Sequence, residues 1–558
     1  MKNQSAFDRK KVIDSAIDQT YDLLVIGGGI TGAGIALDAA TRGLKTLLLE
    51  KDDFSSGTSS KSTKLIHGGL RYLKQFEIAL VREVGRERAV VHQLAPHLVT
   101  AEKMLLPLIV DGTFGKLMTS VGLMVYDILA GVESADQRVM LSSDETMHKE
   151  PLLQDDIVLG GGLYAEYRTD DSRLTIEVLK TAMEAGATCL NYAKVTEFEY
   201  DDDGTITGAI CSDELDKGDF VVSAKKIVSA AGPWVDELRS KDGSLGGKTL
   251  HLTKGVHLVF PHEKLPMNQA IYFDVPDGRM IFAIPRGKIT YVGTTDTDYH
   301  GDKDKILTDA DDAQYLIDAV NNIFQDIKLT IDDVSSSWAG VRPLIHEEGK
   351  SASELSRKDE IFESKSGLMS IAGGKLTGYR KMAERITDLV FKKLNEEEGL
   401  KFVKCTTQKT VLTGGPFKSA KEVNAYRESL QEKLSSYDLD PYHGWYLTAT
   451  YGLQSNDIIA AFEAVADKYE DKALALILAE LDFVIENEMV HTAADFLIRR
   501  TGRLFFDIES VRDYKDEVIS HLAKKFKWGN DRISKEREAI TTAVYEAGEI
   551  FKEEASVK

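Results

Sequence analysis

Residues 21–50 read YDLLVIGGGITGAGIALDAATRGLKTLLLE, a complete strand, turn, helix and strand with an acidic end. Leu23, Leu24, Val25 and Ile26 form an unbroken apolar run, the pattern of a parallel strand covered on both faces. Gly27, Gly29 and Gly32 then fit G-x-G-x-x-G. The first glycine permits a tight turn, the second lets the backbone approach a pyrophosphate, and the third lets helix and strand pack closely. Amides at the start of the next helix face the anion. That helix runs through Ile35, Leu37, Ala39 and Ala40, Arg42-Gly43 closes it, and Lys45 to Leu49 deliver Glu50 about 20 residues beyond the turn. A carboxylate there binds the hydroxyl pair of a ribose and repels a 2′-phosphate, which disfavours NADP. An adenine dinucleotide, NAD or FAD, fits the unit; a ligand-free strand-to-helix turn is the plainer alternative.

The 558 residues exceed what one hydrophobic core holds, so two or three domains are expected. A content of 43% hydrophobic and 28% charged residues is that of a soluble globular protein. The net charge of -21 argues against a nucleic-acid partner and requires a locally basic pocket for any anionic substrate. Cys189, Cys211 and Cys405 lack metal-ligand spacing, so neither a disulfide framework nor a zinc site is expected, and a reducing cytoplasm fits. The first 20 residues lack the apolar core of a secretory signal, and no run reaches the length of a membrane span. The nearest approach, residues 113–132, reads as a buried helix or as a segment lying on a bilayer surface.

The serine-rich stretch 51–64, KDDFSSGTSSKSTK, has the composition of a linker but the position of a phosphate or flavin loop, with hydroxyls at Thr58, Ser59, Ser60 and Thr63. His67 follows at once. Residues 74–104 read as a helix broken near Pro96, and Thr169 or Asp170 as the cap of another. Asp203-Gly204 and Asp277-Gly278 mark hairpins. The segment KIVSAAGPW, ending its strand near Gly232, is a second dinucleotide-type strand about 200 residues after the first, so one α/β sheet is interrupted by an insertion. Between 250 and 297 strand patterns dominate and predict an antiparallel sheet as the floor of a substrate site, with Lys254 and His257 on one strand. LMSIAGGKLTGYR, residues 368–380, reads as a third strand, two glycines and a helix whose start offers positive charge to a reduced flavin; a terminal packing element is the alternative. After residue 400 the pattern becomes helical, and a helical bundle is expected.

The segments GGGITGAG, TSSKSTKLIHGGLRYL, EYRTDDSRL, AAGPWVDEL, LTKGVH, IPRGKITYVGTTDT, WAGVRPL and GGKLTGYRKMAE, in this order, closely resemble the flavin-dependent glycerol-3-phosphate dehydrogenases, FAD oxidoreductases with a D-amino-acid-oxidase-like fold. The C-terminal stretch near AADFLIRRTG resembles that family's helical domain. The resemblance implies a Rossmann-like FAD-binding domain (about 20–75, 155–240 and 365–390) interleaved with a substrate domain (about 76–154 and 241–364), followed by a helical domain at 401–558. It implies oxidation of sn-glycerol 3-phosphate to dihydroxyacetone phosphate with FAD as cofactor and a membrane quinone as final acceptor, at the inner face of the cell membrane, and leaves a homodimer open. Gly27, Gly29, Gly32, Glu50, Thr58, Ser59, Ser60, Thr63, Gly232, Gly374, Lys375, Leu376 and Thr377 are the expected FAD contacts. Arg71, Tyr72, Lys254, His257, Arg342 and Arg380 are expected at the substrate, the two later arginines being suited to phosphate by their planar fork. His67 is the favoured base for the hydroxyl proton, with His257 its rival, and Arg342 and Lys375 are expected to stabilise the alkoxide. An oxidase that passes electrons to oxygen, or a flavin-bound interaction protein without turnover, are the competing functions.

Overall fold

A computed structural model describes residues 5–67, 78–110, 112, 137–346 and 359–557. Arg71, Tyr72 and the stretch 113–132 lie outside the described residues. Two sheets organise the chain. The first is built on Thr20–Ile26, which pairs in parallel with Thr46–Leu49 on one side (Leu24 opposite Leu47) and with Asp219–Ser229 on the other (Leu24 opposite Ile227). The order across it is Glu360–Glu363, Met369–Ala372, Asp219–Ser229, Thr20–Ile26, Thr46–Leu49, Thr188–Leu190, with the hairpin Ala193–Tyr200 and Ile206–Asp213 leaving the edge of Asp219–Ser229. The central strands are buried on both faces, which explains their unbroken apolar runs. Helices Ile30–Thr41, Asp171–Glu184 and Tyr379–Glu398 pack together against it, with Gly34 giving the ring of Tyr379 its place.

The second sheet runs Thr297–Asp298, Leu250–Pro261, Ile289–Gly293, Met280–Arg286, Ala270–Asp274, Thr100–Ile109, Val158–Arg168, Leu65–Ile66, with Ser336–Ile345 on Leu250–Pro261 and Val139–Leu141 on Val158–Arg168. It is antiparallel except where Ala270–Asp274 meets Thr100–Ile109 in parallel. Gly204 and Gly278 turn their hairpins with φ of +80° and +82°, a backbone that glycine adopts without strain. Asp170 caps its helix by accepting from the Arg173 amide at 3.0 Å.

Several expected boundaries move. Val158–Arg168, assigned by sequence to the dinucleotide domain, belongs to the second sheet, and Glu360–Glu363, assigned to the substrate domain, pairs antiparallel with Met369–Ala372 in the first. The helix Ile78–Leu94 stops before Pro96, and residues from Thr100 onward form a strand. The C-terminal helices, among them Ala420–Ser435, Lys472–Asn487, Ile508–Phe526 and Asn530–Gly548, share one apolar core with a face of the second sheet. Phe505 and Phe506 pack there on Trp338. No described helix is long and apolar enough to cross a membrane.

Candidate active site

At the C-terminal ends of the first sheet's strands lies a groove of about 250 Å³, bordered by Gly27, Gly29, Glu50, Thr58, Ser59 and Gly232. This is where α/β sheets place nucleotides. Absent side chains make room for it. Gly27 has φ +115°, and a Cβ on Gly32 would stand 1.9 Å from the Gly27 carbonyl oxygen, so the turn closes only with glycine at both positions. The Glu50 carboxylate accepts from the amides of Gly28 at 2.6 Å and Asp52 at 3.0 Å. Burial pushes its pKa up to about 7 against the pull of those two amides.

Gly28, not singled out from sequence, is as constrained as its neighbours: a Cβ there would lie 2.8 Å from both Glu50 Cβ and the Phe54 ring. The Ser59 hydroxyl accepts from the Ile30 amide at 2.9 Å and so caps the helix Ile30–Thr41 from a distant loop. Thr58 donates to the Val341 carbonyl at 2.7 Å, tying that loop to the second sheet. Ser60 is buried and turned away from the groove, facing a cleft against the helical domain. Gly373 and Gly374, both left-handed, carry the chain from Met369–Ala372 to the helix at Tyr379 through a single 3₁₀ turn, Leu376–Gly378.

A larger cavity of about 520 Å³ adjoins the groove, and Ile30, Thr58, Ser59, Gly374, Lys375 and Leu376 border both. His67, Arg342, Lys375, Thr63 and Thr377 line it. Thr377 is buried, and its hydroxyl accepts from the His67 amide at 3.1 Å and donates to the His67 carbonyl at 3.2 Å. It therefore pins the histidine backbone, a role distinct from the cofactor contact expected of it. Arg342, on Ser336–Ile345, donates to the Thr294 hydroxyl at 2.8 Å, the Thr295 carbonyl at 3.2 Å and Asp296 at 3.1 Å. Gly255 leaves room for its guanidinium; a Cβ there would overlap it.

Three residues expected at the substrate lie elsewhere. Lys254 points to the far face of its strand, where its Nζ pairs with Asp309 at 2.6 Å and Asp312 at 2.5 Å. Arg380 is buried and spends its fork on Glu87, at 2.8 and 2.5 Å, so no planar face is left for a phosphate. His257 is 1% exposed, stacked on Trp338 with centroids 4.7 Å apart, and shares a hydrogen bond of 3.0 Å with the Thr63 hydroxyl. Burial, aided by the charges of Arg342 and Lys64, holds it well below the ordinary histidine pKa, so it is a neutral packing group and a poor base.

The cavity also holds residues that sequence reading passed over: Tyr272, Arg279, Asp296 and Lys61. Arg279 sits on the hairpin read only as a turn and is paired with Asp277 at 2.5 Å. Lys61 lies inside the serine-rich stretch, where burial pulls its ammonium below the usual pKa and Arg499 adds to the effect. The Asp-Gly-Arg sequence gave a hairpin signal and no binding signal, and a lysine among serines resembles any solvated linker.

Residues 22–380 match the family of FAD dependent oxidoreductases, and residues 405–533 match the C-terminal domain of alpha-glycerophosphate oxidase. The chain is 50% identical over 549 residues to the aerobic glycerol-3-phosphate dehydrogenase of Bacillus subtilis, covering 97% of this chain and 98% of that protein. It is 49% identical over 545 residues to the protein of the same name from Staphylococcus aureus, with the same coverage. The crystal structure of a glycerol-3-phosphate dehydrogenase from Bacillus halodurans, complexed with FAD, superimposes with a TM-score of 0.83 at 42% identity over 98% of both chains. The L-α-glycerophosphate oxidase of Mycoplasma pneumoniae shares the fold alone, with a TM-score of 0.54 at 20% identity over 67% of this chain and 95% of that one. A glycine-floored groove ending in a buried carboxylate, joined to a cavity with basic side chains, is the architecture such a cofactor requires, and the chain belongs to the FAD-dependent oxidoreductases of the D-amino-acid-oxidase-like fold, in the family that includes the aerobic glycerol-3-phosphate dehydrogenases.

Proposed function

We propose that the chain oxidises sn-glycerol 3-phosphate at carbon 2 to dihydroxyacetone phosphate and passes the electrons to a membrane quinone. The observation that carries this reading is the shared wall of the two cavities: Lys375 borders the dinucleotide groove and the cavity that also holds His67 and Arg342. Gly27, Gly29, Glu50, Thr58, Ser59, Gly232 and Gly374 would hold FAD, which would supply the two-electron acceptor. The protein's own side chains do the rest. An imidazole nitrogen of His67 takes the proton of the carbon-2 hydroxyl, with the histidine backbone fixed by Thr377. The ammonium of Lys375 stabilises the developing alkoxide from the shared wall. Arg342 binds the phosphate, and its orientation by Thr294 and Asp296 lowers the entropy lost on binding. In a chain of net charge -21 these cations provide the local attraction an anionic substrate needs.

Membrane contact in this reading is peripheral, at the inner face of the cell membrane, through apolar surface and not general charge attraction, and therefore survives moderate salt. The test mixes purified protein with sn-glycerol 3-phosphate without oxygen and follows flavin absorbance, then adds a water-soluble quinone or air. Bleaching followed by rapid recovery with quinone and slow recovery with air is expected. Bleaching with fast peroxide formation and no quinone reduction points to an oxidase, and a flavin that stays yellow removes the enzymatic reading. Flotation with quinone-containing liposomes at low and high salt tests the membrane step.

A further inference from the structure

We propose that Asp53, gripped by Arg499 and Arg500 of the helical domain, is a positioning residue for the cofactor groove, so that the C-terminal domain sets how tightly FAD is held. Asp53 lies three residues beyond Glu50, and its side chain is fully buried. Arg500 reaches it with both terminal nitrogens, at 2.7 and 2.9 Å, and Arg499 with Nε at 2.5 Å. Asn191 adds a fourth donor at 2.9 Å. The arginines are themselves oriented: Arg500 donates to the Glu488 carbonyl at 2.7 Å, and Arg499 to Asp495 at 2.8 Å. Asp495 also receives the Tyr192 hydroxyl at 2.5 Å, and the Tyr192 amide returns to the loop by donating to the Asp52 carbonyl at 2.7 Å.

The grip is transmitted to the groove by direct contact. Phe54, next to Asp53, is buried with its ring against Gly28, where the Glu50 side chain packs as well. Ser55, held at φ +65°, donates its amide to the Gly28 carbonyl at 3.1 Å and its hydroxyl to the Ser59 carbonyl at 2.8 Å. Ser59 in turn caps the helix at Ile30. The segment from Glu50 to Ser59 therefore carries the ribose carboxylate and touches the phosphate turn and the helix amides at once, and its buried Asp53 carboxylate is fixed by residues nearly 450 positions later in the chain. Removing that carboxylate takes the shared counter-ion from two buried guanidiniums, leaving Asp495 beside Arg499 and the Glu488 carboxylate 3.8 Å from Arg500, so the loop or the helical domain shifts to compensate. An ordinary interdomain ion pair would also cost stability, but it would not couple to the cofactor.

The inference rests on FAD occupying this groove, and its test separates the two. Wild-type and Asp53→Asn proteins are stripped of flavin, titrated with FAD by fluorescence, and followed by hydrogen exchange over residues 488–503 with and without FAD. The expected result is that FAD slows exchange there in the wild type, that this slowing disappears in the variant, and that the variant's dissociation constant rises about tenfold, because coupling between two sites is reciprocal. A folded variant whose dissociation constant stays within twofold of wild type, or a wild type whose exchange over 488–503 ignores FAD, overturns the proposal. Should Asp53→Asn fail to fold, Arg499→Gln keeps the Arg500 pair and is expected to raise the constant about threefold, an unchanged value again counting against it. A wild type that binds no FAD would instead remove the cofactor assignment.

Discussion

FAD affinity should rise with pH through neutrality, and Glu50 is the reason. Without cofactor the carboxyl is buried and titrates at about 7, far above its ordinary value. Ribose hydroxyls donate to a carboxylate and stabilise its ionised form, so its pKa in the complex falls back toward the ordinary range near 4.3. The protonated form dominates the cofactor-free protein below pH 7 and must lose its proton on binding; binding therefore releases a proton, and affinity grows as pH rises. With those two pKa values, the dissociation constant at pH 6 is about tenfold weaker than at pH 8, or about 1.4 kcal/mol. The assay is fluorescence titration of flavin-free protein between pH 6 and 8. Glu50→Gln is the control: it removes the titrating proton, so its affinity should be lower at pH 8 and flat across the range. A flat wild-type profile, or an equal slope in Glu50→Gln, would refute the assignment of this carboxylate to the ribose.

Arg342→Lys keeps the charge but loses the planar fork, and with charge-assisted hydrogen bonds worth about 1.5–3 kcal/mol each, kcat/KM should fall about a hundredfold or more. Near-normal steady-state kinetics would remove Arg342 from the site. Gly32→Ala places a methyl 1.9 Å from the Gly27 carbonyl, so the phosphate turn must open. The purified variant should carry little flavin and melt at a lower temperature, at a cost of about 1–3 kcal/mol or above; a full flavin-to-protein absorbance ratio would contradict the close packing of this turn.

What could be read from sequence is what local pattern dictates. The glycine turn and Glu50 follow from spacing within 30 residues, and the hairpins at Gly204 and Gly278 from a dipeptide. The family motifs identified the fold and the cofactor. Side-chain direction was another matter. Strand alternation leaves Lys254 two faces, and the choice was made by Asp309 and Asp312 on a separate helix. Arg380 looked like a phosphate ligand because its partner, Glu87, lies almost 300 positions away. Val158–Arg168 was assigned to the wrong sheet because a glycine-rich apolar strand carries no label of its neighbours; only the register opposite Thr100–Ile109 tells. Asp53 read as one acid in a linker, and its meaning depends on two arginines of another domain.

The interrupted sheet also sets a timetable for synthesis. The central strand Thr20–Ile26 leaves the ribosome early, yet its partner Asp219–Ser229 follows about 200 residues later, on the order of 10–40 s at ordinary elongation rates. Until then one edge of the nascent strand has no partner and is open to mispairing or to a chaperone. The groove still lacks Gly373 and Gly374, and the loop beside Glu50 waits for Arg500. Cofactor loading thus belongs to the last stage of the protein's birth, and a chain truncated anywhere before the helical domain should emerge colourless.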